Sequence, residues 1–232
     1  MIDTWINNRW RLKLPPHQAE MPRWEWWERD RLAYARAMVR PGDVVWDVGA
    51  EEGHMSALFA SWGARMVLLE PSPKAWPFVR ATFEANGLAT PEVCFAGFAS
   101  DVTDLHPEQL DVDGEIVDGW PRCAYDEGIP EFGFRHLYEA RPTTPQIRLD
   151  DLDAPAPDIV TIDVEGSEYT VLLGAERILT EVRPSWLVSV HPLYLGDYGH
   201  SVENVLTCFA DHDYETHRIA IDHEHHYVAK PR

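Results

Sequence analysis

Short apolar runs and stretches of helical periodicity alternate along the first part of the chain. Three continuous apolar runs predict strands, over residues 44–48, 65–69 and 92–97. Between the first two runs, apolar residues recur every three or four positions from Met55 to Trp62, which predicts a helix. The same spacing predicts a second helix over residues 74–85. This order of strands and helices is typical of parallel α/β sheets.

The regular pattern resumes in the last third of the chain. It predicts strands over residues 158–163 and 186–190, helices over 171–179 and 202–209, and an antiparallel strand pair over 214–221 and 226–229. Parallel strand–helix units that finish with a hairpin predict one open, doubly wound α/β domain over residues 1–232.

Two segments fall outside the strand–helix alternation. Apolar residues at helical spacing over 22–39 predict an amphipathic helix, so we expect residues 1–40 to form an N-terminal helical extension. Residues 100–145 have no sustained period and contain several glycines and prolines. We interpret this second segment as an insertion that forms a lid over the active site, because long ordered loops are often functional.

Charge and composition narrow the class of partner. The chain has 39 acidic and 20 basic residues, and its formal charge of −19 opposes binding to a nucleic-acid backbone. Its three cysteines have neither metal-binding nor disulfide-framework spacing. There is no apolar run of about 18 residues to span a bilayer, and the N-terminal residues lack a signal-peptide pattern. We therefore expect a soluble, cytoplasmic protein that does not act on nucleic acid or membrane.

Polar residues and glycines follow the predicted strands, whereas the strand bodies are apolar. In doubly wound sheets, ligands bind beyond the carboxyl ends of the strands, near the point where the strand order reverses. The residues at these ends are Asp47 with the turn 49–53, Glu70, Ser100, Asp163 with Glu165, and His191. This distribution predicts a binding site at that edge of the sheet.

The first strand ends favour a nucleoside that carries a cationic group. Gly49 and Gly53 allow a tight turn before a helix N-terminus, and Glu70 is placed to accept hydrogen bonds from ribose hydroxyls. Asp47 would attract an ammonium group and repel a phosphate. The turn lacks the G-x-G-x-x-G spacing that lets a backbone approach a dinucleotide. S-adenosylmethionine combines ribose, ammonium and carboxylate, whereas NAD has no ammonium group.

Three segments of the chain resemble the FkbM family of S-adenosylmethionine-dependent methyltransferases. They are VVWDVGAEEGHMSALFASWGARMVLLEPSP, TTPQIRLDDLDAPAPDIVTIDVEGSEYTVLLGAERIL and VSVHP. They carry the family's D-V-G-A-x-x-G turn, strand-end acid, L-D-D-L segment and I-D-V-E-G-x-E block, although members often have Asn at the position of Glu51. The resemblance implies a Rossmann-like, seven-stranded fold and methyl transfer, commonly to an oxygen of a sugar or a polyketide-type product.

We expect S-adenosyl-L-methionine to be bound at the strand ends. The expected cofactor-binding residues are Asp47, Gly49, Ala50, Glu51, Gly53, Glu70, Pro71, Ser100 and Asp163. The acceptor is expected to be a small molecule or a glycan with a free hydroxyl, and the sequence does not define the oligomeric state.

The catalytic candidates are Asp163, Glu165 and His191. Methyl transfer from a sulfonium requires an aligned acceptor oxygen and removal of its proton. His191 could act as a general base near neutral pH. Alternatively, the three side chains could bind Mg²⁺ or a similar ion, because catechol-type methyltransferases place metal ligands at the same two strand ends. Structural roles remain open for His191, and for Glu165 and Glu168 as acids that stabilise a helix N-terminus.

Other features have two interpretations each. The cluster at 223–226 contains metal-ligand residue types, but a polar hairpin turn explains its composition as well. Trp24, Trp26 and Trp27 could stack on a ligand or pack in the core. The candidates for acceptor contact in the insertion are Trp120, Tyr125, Phe132 and Phe134. Two other functions are considered: a catalytically silent module that binds S-adenosylmethionine or a nucleoside, and an NAD-linked oxidoreductase.

Overall fold

A computed structural model describes residues 1–20, 22–126 and 143–232 of the protein. Two of the expected acceptor contacts, Phe132 and Phe134, lie outside the described residues. In the described ranges the strands are β1 (Ile2–Ile6), β2 (Trp10–Leu14), β3 (Val44–Val48), β4 (Arg65–Leu69), β5 (Val93–Phe95), β6 (Phe98–Ala99), β7 (Ile116–Val117), β8 (Trp120–Pro121), β9 (Gln146–Ile147), β10 (Ile159–Ile162), β11 (Ser185–Val190), β12 (Tyr214–Ile221) and β13 (His225–Pro231). The α-helices there are α1 (Pro16–Ala19), α2 (Arg29–Met38), α3 (His54–Ser61), α4 (Trp76–Ala85), α5 (Pro107–Gln109), α6 (Glu168–Leu173), α7 (Pro192–Leu195) and α8 (Val202–Asp211).

Seven strands form the central sheet, in the order β12-β13-β11-β10-β3-β4-β5. The strands β11, β10, β3, β4 and β5 are parallel to one another, and β13 lies between β11 and β12 and is antiparallel to both. The predicted doubly wound, mostly parallel sheet with a C-terminal antiparallel hairpin is therefore confirmed.

The strand order reverses between β3 and β10. From β3 the chain continues to β4 and β5 on one side, whereas from β10 it continues to β11 on the other. The two strands are paired in parallel, with Asp47 opposite Thr161. Their carboxyl ends therefore open on the same crevice, which is where ligands bind in sheets of this kind.

The sheet is covered on both faces, which explains why its strands are continuous apolar runs. All of β3 is buried, and its successive side chains enter opposite cores. Val45 belongs to one core with Phe59 of α3 and Phe83 of α4, whereas Trp46 belongs to the other with Phe209 of α8. This packing fixes the crevice end of β3 from both sides.

The prediction of a helical extension over residues 1–40 is wrong at its start. β1 and β2 form a hairpin there, and Asn7 and Asn8 adopt left-handed backbone conformations in its turn. Asparagine tolerates this conformation better than most residues. Leu12 and Leu14 are buried while their neighbours in β2 are not, which is the period of a strand. The predicted amphipathic helix follows as α2.

The described part of the insertion packs beside α4. β7 and β8 form a small hairpin, and Trp120 is buried with its ring edge-to-face on Phe83, at 5.6 Å between centroids. The guanidinium carbon of Arg80 lies 3.8 Å from the centroid of the Tyr125 ring. Trp120 is thus a core residue, which contradicts its expected contact with the acceptor.

Among the described residues, no helix combines the length and the apolar character that crossing a bilayer requires.

The loops that follow β3 and β10 touch at Gly49. Its backbone has φ +87°, and a Cβ atom added there would lie 1.9 Å from the backbone oxygen of Asp163. Only glycine permits both the conformation and this approach.

We predict that Gly49→Ala destabilises the protein much more than Gly87→Ala. Gly87 also has a positive φ, +63°, but a Cβ there meets nothing within 4 Å. The backbone conformation alone should cost roughly 1–2 kcal/mol in Gly87→Ala, whereas overpacking adds about 1–3 kcal/mol in Gly49→Ala. Urea unfolding of both variants measures the difference, and equal losses would show that the two loops do not meet at Gly49.

Candidate active site

The glycine-rich turn after β3 is held against β4. The amides of Gly49 and Ala50 both donate to the carbonyl of Leu69, at 2.9 and 3.1 Å. Gly53, at φ +81°, directly precedes α3. A Cβ atom added there would lie 3.0 Å from the Val79 side chain, so the position has little room for any residue except glycine. The turn is therefore held in place from β4 and from α4.

Glu70, at the end of β4, is fixed by two backbone amides. Its carboxylate accepts hydrogen bonds from Glu51, at 2.8 Å, and from Ser72, at 2.7 Å. Burial raises the pKa of Glu70 to about 7. Each oxygen retains a lone pair, so the group can still accept bonds from ribose hydroxyls.

Two other acids on this side of the crevice are buried or partly buried. Asp47 accepts a short hydrogen bond from the hydroxyl of Ser56, and burial raises the pKa of Asp47 to about 7. Glu51 has a left-handed backbone, φ 49°, and burial together with Glu52 raises the pKa of Glu51 to about 8. These carboxyl groups give the cofactor side of the crevice an affinity for positive charge.

The N-terminal segment lies over the glycine-rich turn. The side-chain amide of Gln18 donates to Glu52, and the indole N–H of Trp24 donates to the carbonyl of Gln18 at 2.6 Å. Trp24 is buried and packs on Trp27 and His54, whereas Trp26 is exposed. The packing interpretation thus holds for Trp24.

The other two expected cofactor residues follow β4 and β6. Pro71 lies directly after Glu70 and lines a recess with Ala96 and Thr144. Ser100 is buried where β6 pairs with β9, and its hydroxyl donates to Gln146 at 3.0 Å. Its role in cofactor binding stays a prediction.

The structure brings Asp163, Glu165 and His191 together at the ends of β10 and β11. His191 is 3% exposed, and its Nε2 lies 3.6 Å from Asp163 Oδ1 and 3.5 Å from Glu165 Oε2. Its Nδ1 lies 2.7 Å from Oε1 of Glu168, which is fully buried and also accepts the amide of Gly166. Glu168 therefore orients the imidazole ring.

The charge of His191 differs from what the sequence suggests. Burial alone lowers its pKa, but the hydrogen bond to Glu168 and the charges of Asp163, Glu224 and Glu165 raise the pKa of His191 to about 9. With this pKa, the imidazole is protonated at neutral pH. A role of His191 as general base or metal ligand requires loss of the Nε2 proton, and that role stays a prediction.

Arg31 is a site residue that the sequence analysis did not identify. Its side chain is 2% exposed, and its guanidinium donates to Glu28 at 2.7 Å, to Asp163 at 2.8 Å and to Thr161 at 2.9 Å. Burial opposes its charge, but Glu28 and Asp163 raise the pKa of Arg31 above its ordinary value. The signal available in the sequence was that Arg31 lies on the same face of α2 as Leu32 and Ala35, which are both buried.

The C-terminal hairpin supplies another residue that was missed. Glu224, in the turn between β12 and β13, is 3% exposed, and its Oε2 lies 3.1 Å from His191 Nε2. His226 is also buried: it contacts the Ser189 hydroxyl at 3.0 Å, and burial together with Arg31 lowers its pKa to about 4. The cluster at 223–226 is thus partly a site element and partly core.

Several solved structures with a similar fold are methyltransferases. Precorrin-6y C5,15-methyltransferase from Geobacter metallireducens GS-15 is 13% identical with a TM-score of 0.51, and the match covers 94% of this chain and 93% of that one. Ribosomal protein L11 methylase from Lactobacillus delbrueckii subsp. bulgaricus is 13% identical with a TM-score of 0.51, covering 87% and 76%. Magnesium protoporphyrin IX methyltransferase from Synechocystis PCC 6803, solved with bound S-adenosylmethionine, is 12% identical with a TM-score of 0.50, covering 88% and 77%. The fold is that of S-adenosylmethionine-dependent methyltransferases.

The assignment of the chain to a family rests on its sequence. A model of the methyltransferase FkbM domain matches residues 47–216, which is most of the chain. The protein belongs to the FkbM methyltransferase family, as the resemblance indicated. No curated protein matches the chain significantly.

We predict that Arg31→Met lowers the free energy of unfolding by about 3–5 kcal/mol, because it leaves Glu28 and Asp163 without their buried partner. Arg11→Met is the matched control, since Arg11 pairs with Asp3 in an exposed ion pair. Urea unfolding at pH 7 should show almost no change in the control. Similar, small changes in both variants would contradict the structural role given to Arg31.

Proposed function

We propose that this protein transfers a methyl group from S-adenosylmethionine to a hydroxyl oxygen of a small-molecule or glycan acceptor. The observation that carries the cofactor assignment is Glu70, whose carboxylate is fixed by two amides at the mouth of the crevice. An acid in this position is suited to both hydroxyls of a ribose. Membership of the family supports the reaction type.

The charge of the crevice supports a cationic cofactor over a dinucleotide. Asp47, Glu51 and Glu70 are acids whose pKa values are raised, mainly by burial. The sulfonium and ammonium groups of S-adenosylmethionine would stabilise the ionised forms of these acids, whereas a pyrophosphate would disfavour them. The electrostatics thus favour methyl transfer over NAD-linked redox chemistry.

The protein has to align the acceptor oxygen and take up its proton. The sulfonium provides the electrophile and a neutral leaving group, so no covalent intermediate with the protein is needed. Asp163 lies beside His191 and accepts a hydrogen bond from Arg31, which fixes its direction. We propose that Asp163 and His191, with Glu165, assist deprotonation of the acceptor either directly or through a divalent cation.

The residues of the site fit a divalent cation. With Nδ1 of His191 held by Glu168, its Nε2 faces Asp163 and Glu165, and a second-sphere carboxylate of this kind is typical of metal-binding histidines. Carboxylate oxygens and one imidazole are donors that Mg²⁺ and Mn²⁺ accept. Such an ion would lower the pKa of an acceptor hydroxyl.

The surface beside His191 offers a place for the acceptor. Tyr194 stacks on His191, with ring centroids 6.0 Å apart and an interplanar angle of 24°, and is itself exposed. Leu193 is 82% exposed next to it. An aromatic and apolar surface beside an acidic site suits a neutral or cationic small molecule or a sugar ring.

We predict that S-adenosylmethionine binds the protein, that NAD does not, and that Glu70→Gln weakens S-adenosylmethionine binding by about tenfold, which corresponds to one lost charge-assisted hydrogen bond. Isothermal titration calorimetry with both compounds measures this. Glu92→Gln is the control, because Glu92 is exposed and pairs with Arg65 on the surface. Binding of NAD alone would refute the proposed function, and binding of neither compound would refute it as well.

We predict that Asp163→Asn and His191→Asn each lower the rate of methyl transfer by about 10²–10⁴-fold while the affinity for S-adenosylmethionine changes much less, because both groups act on the acceptor. The assay follows label from S-adenosylmethionine into hydroxylated small molecules and glycans. His217→Asn, on the exposed side of β12, is the control. Full activity of His191→Asn would remove that residue from the mechanism, and tight cofactor binding without transfer to any acceptor would favour a silent binding module.

A further inference from the structure

We propose that Glu224 completes a divalent-cation site with Asp163, Glu165 and His191. The inference deepens the metal-assisted form of the proposed function and adds to it a ligand from the C-terminal hairpin. Glu224 lies outside residues 47–216, which match the family model, so this ligand comes from a segment beyond the matched domain.

The sheet topology explains how a C-terminal residue reaches the crevice. β13 runs antiparallel to β11, and its first residue, His225, pairs with Val190 at the end of β11. His191 follows Val190 directly. The turn that precedes β13 must therefore lie at the carboxyl end of β11, and Glu224 is the last residue of that turn.

The contacts of Glu224 point into the site. Its side chain is 3% exposed, and its Oε2 faces Nε2 of His191 at 3.1 Å. Among the described residues no hydrogen-bond geometry satisfies this oxygen atom, and its contact with Nε2 of His191 is an ion pair while the imidazole is protonated. A buried carboxylate oxygen without a hydrogen bond is costly, and coordination to a cation would remove that cost.

Glu168 holds Nδ1 of His191, so Nε2 faces the acids, and a bound cation would take the place of the Nε2 proton. Oε1 of Glu168 accepts from both Gly166 and Nδ1 of His191, which places a proton on Nδ1 and directs Nε2 to the opposite side. Nε2 is then surrounded by Glu224 at 3.1 Å, Glu165 at 3.5 Å and Asp163 at 3.6 Å. One atom each from Asp163, Glu165 and His191 lies within 4.8 Å of the others.

The charge balance also calls for a cation. The carboxylates in the cluster are Glu28, Asp163, Glu165, Glu168 and Glu224, and the permanent cation among them is Arg31. Buried carboxylates in excess either keep protons or bind positive charge. A divalent ion held by Asp163, Glu165 and His191, with Glu224 beside Nε2 of His191, would provide that charge.

Two other groupings of acids are less suitable. Glu28, Asp163 and Glu224 also lie within 4.8 Å of one another, but Arg31 pairs with two of these three carboxylates, whereas in the group around His191 it pairs with Asp163 alone. Asp222, His223 and Glu224 form a third group, in which His223 is exposed to solvent. The group around His191 is therefore the one we assign.

The test is Mn²⁺ binding to the full chain, followed by the electron paramagnetic resonance signal of the free ion. We expect one Mn²⁺ per chain, and at least a tenfold loss of affinity in Glu224→Gln. Glu165→Gln should give a similar loss, and it guards against misfolding because the Glu165 side chain is half-exposed. His217→Gln is the control that should keep the wild-type affinity, because His217 is exposed on β12 and pairs with Glu215.

The proposal is overturned if the protein binds no Mn²⁺, or if Glu224→Gln keeps wild-type affinity. Calorimetry with S-adenosylmethionine on the same variants keeps the two proposals apart. Normal cofactor binding with no Mn²⁺ binding would refute the cation site and leave the methyltransferase assignment standing. If the wild-type protein does not bind S-adenosylmethionine, that result counts against the proposed function instead.

Discussion

The buried guanidinium of Arg31 is the interaction on which the arrangement of the active site depends. It joins α2 to Thr161 and Asp163 at the end of β10, and it offsets the charge of Glu28. A guanidinium has donors in a fixed plane, so it sets the direction of the carboxylates it binds. Without it, acids would face each other in a region of low dielectric constant, where repulsion is strong. The N-terminal extension is therefore part of the site and not an appendage to the sheet.

Acids lie on both sides of the crevice, and their charge is balanced in different ways. On the β10 side, Asp163 has Arg31 as a permanent partner, and His191 adds a second cation because its pKa is raised to about 9. On the β3 and β4 side, burial raises the pKa of Asp47 and Glu70 to about 7, and their hydrogen bonds come from a neutral hydroxyl and neutral amides. Acids of this second kind gain most from a positively charged ligand. The two sides of the crevice thus differ: the acids beside β10 have cationic partners, and those beside β3 and β4 have neutral ones.

The parts of the fold and the site that could be predicted are those that local sequence determines. Buried strands are continuous apolar runs, and a glycine turn followed by a strand-end acid at Glu70 is recognisable without a structure. Asp163 and His191 could be placed together because the carboxyl ends of neighbouring parallel strands meet at one edge. The N-terminal hairpin was missed because a period of two over five residues is a weak signal beside the strong helical period of α2.

Arg31 and Glu224 could not be predicted for a different reason: their roles arise from long-range pairing. Sequence periodicity shows that Arg31 lies on the apolar face of α2, but it does not show that the carboxylate of Asp163 packs against that face. The partner of that face is 132 residues away along the chain. Similarly, a polar hairpin turn looks the same in sequence whether it faces solvent or a site. Only the position of β13 in the sheet decides between them.

That position has a general consequence for sites of this architecture. In a purely parallel sheet, the edge at the carboxyl ends receives only the loops that leave the strands. An antiparallel strand inserted next to β11 begins at that edge, so the turn before it becomes an additional element of the site. Here the turn brings Glu224 within 3.1 Å of His191, while β13 itself buries His226 against Ser189 of β11. The same reversal of direction thus anchors the hairpin in the core and adds an acid to the site, and the C-terminal segment of the chain can shape the chemistry without altering the parallel strands.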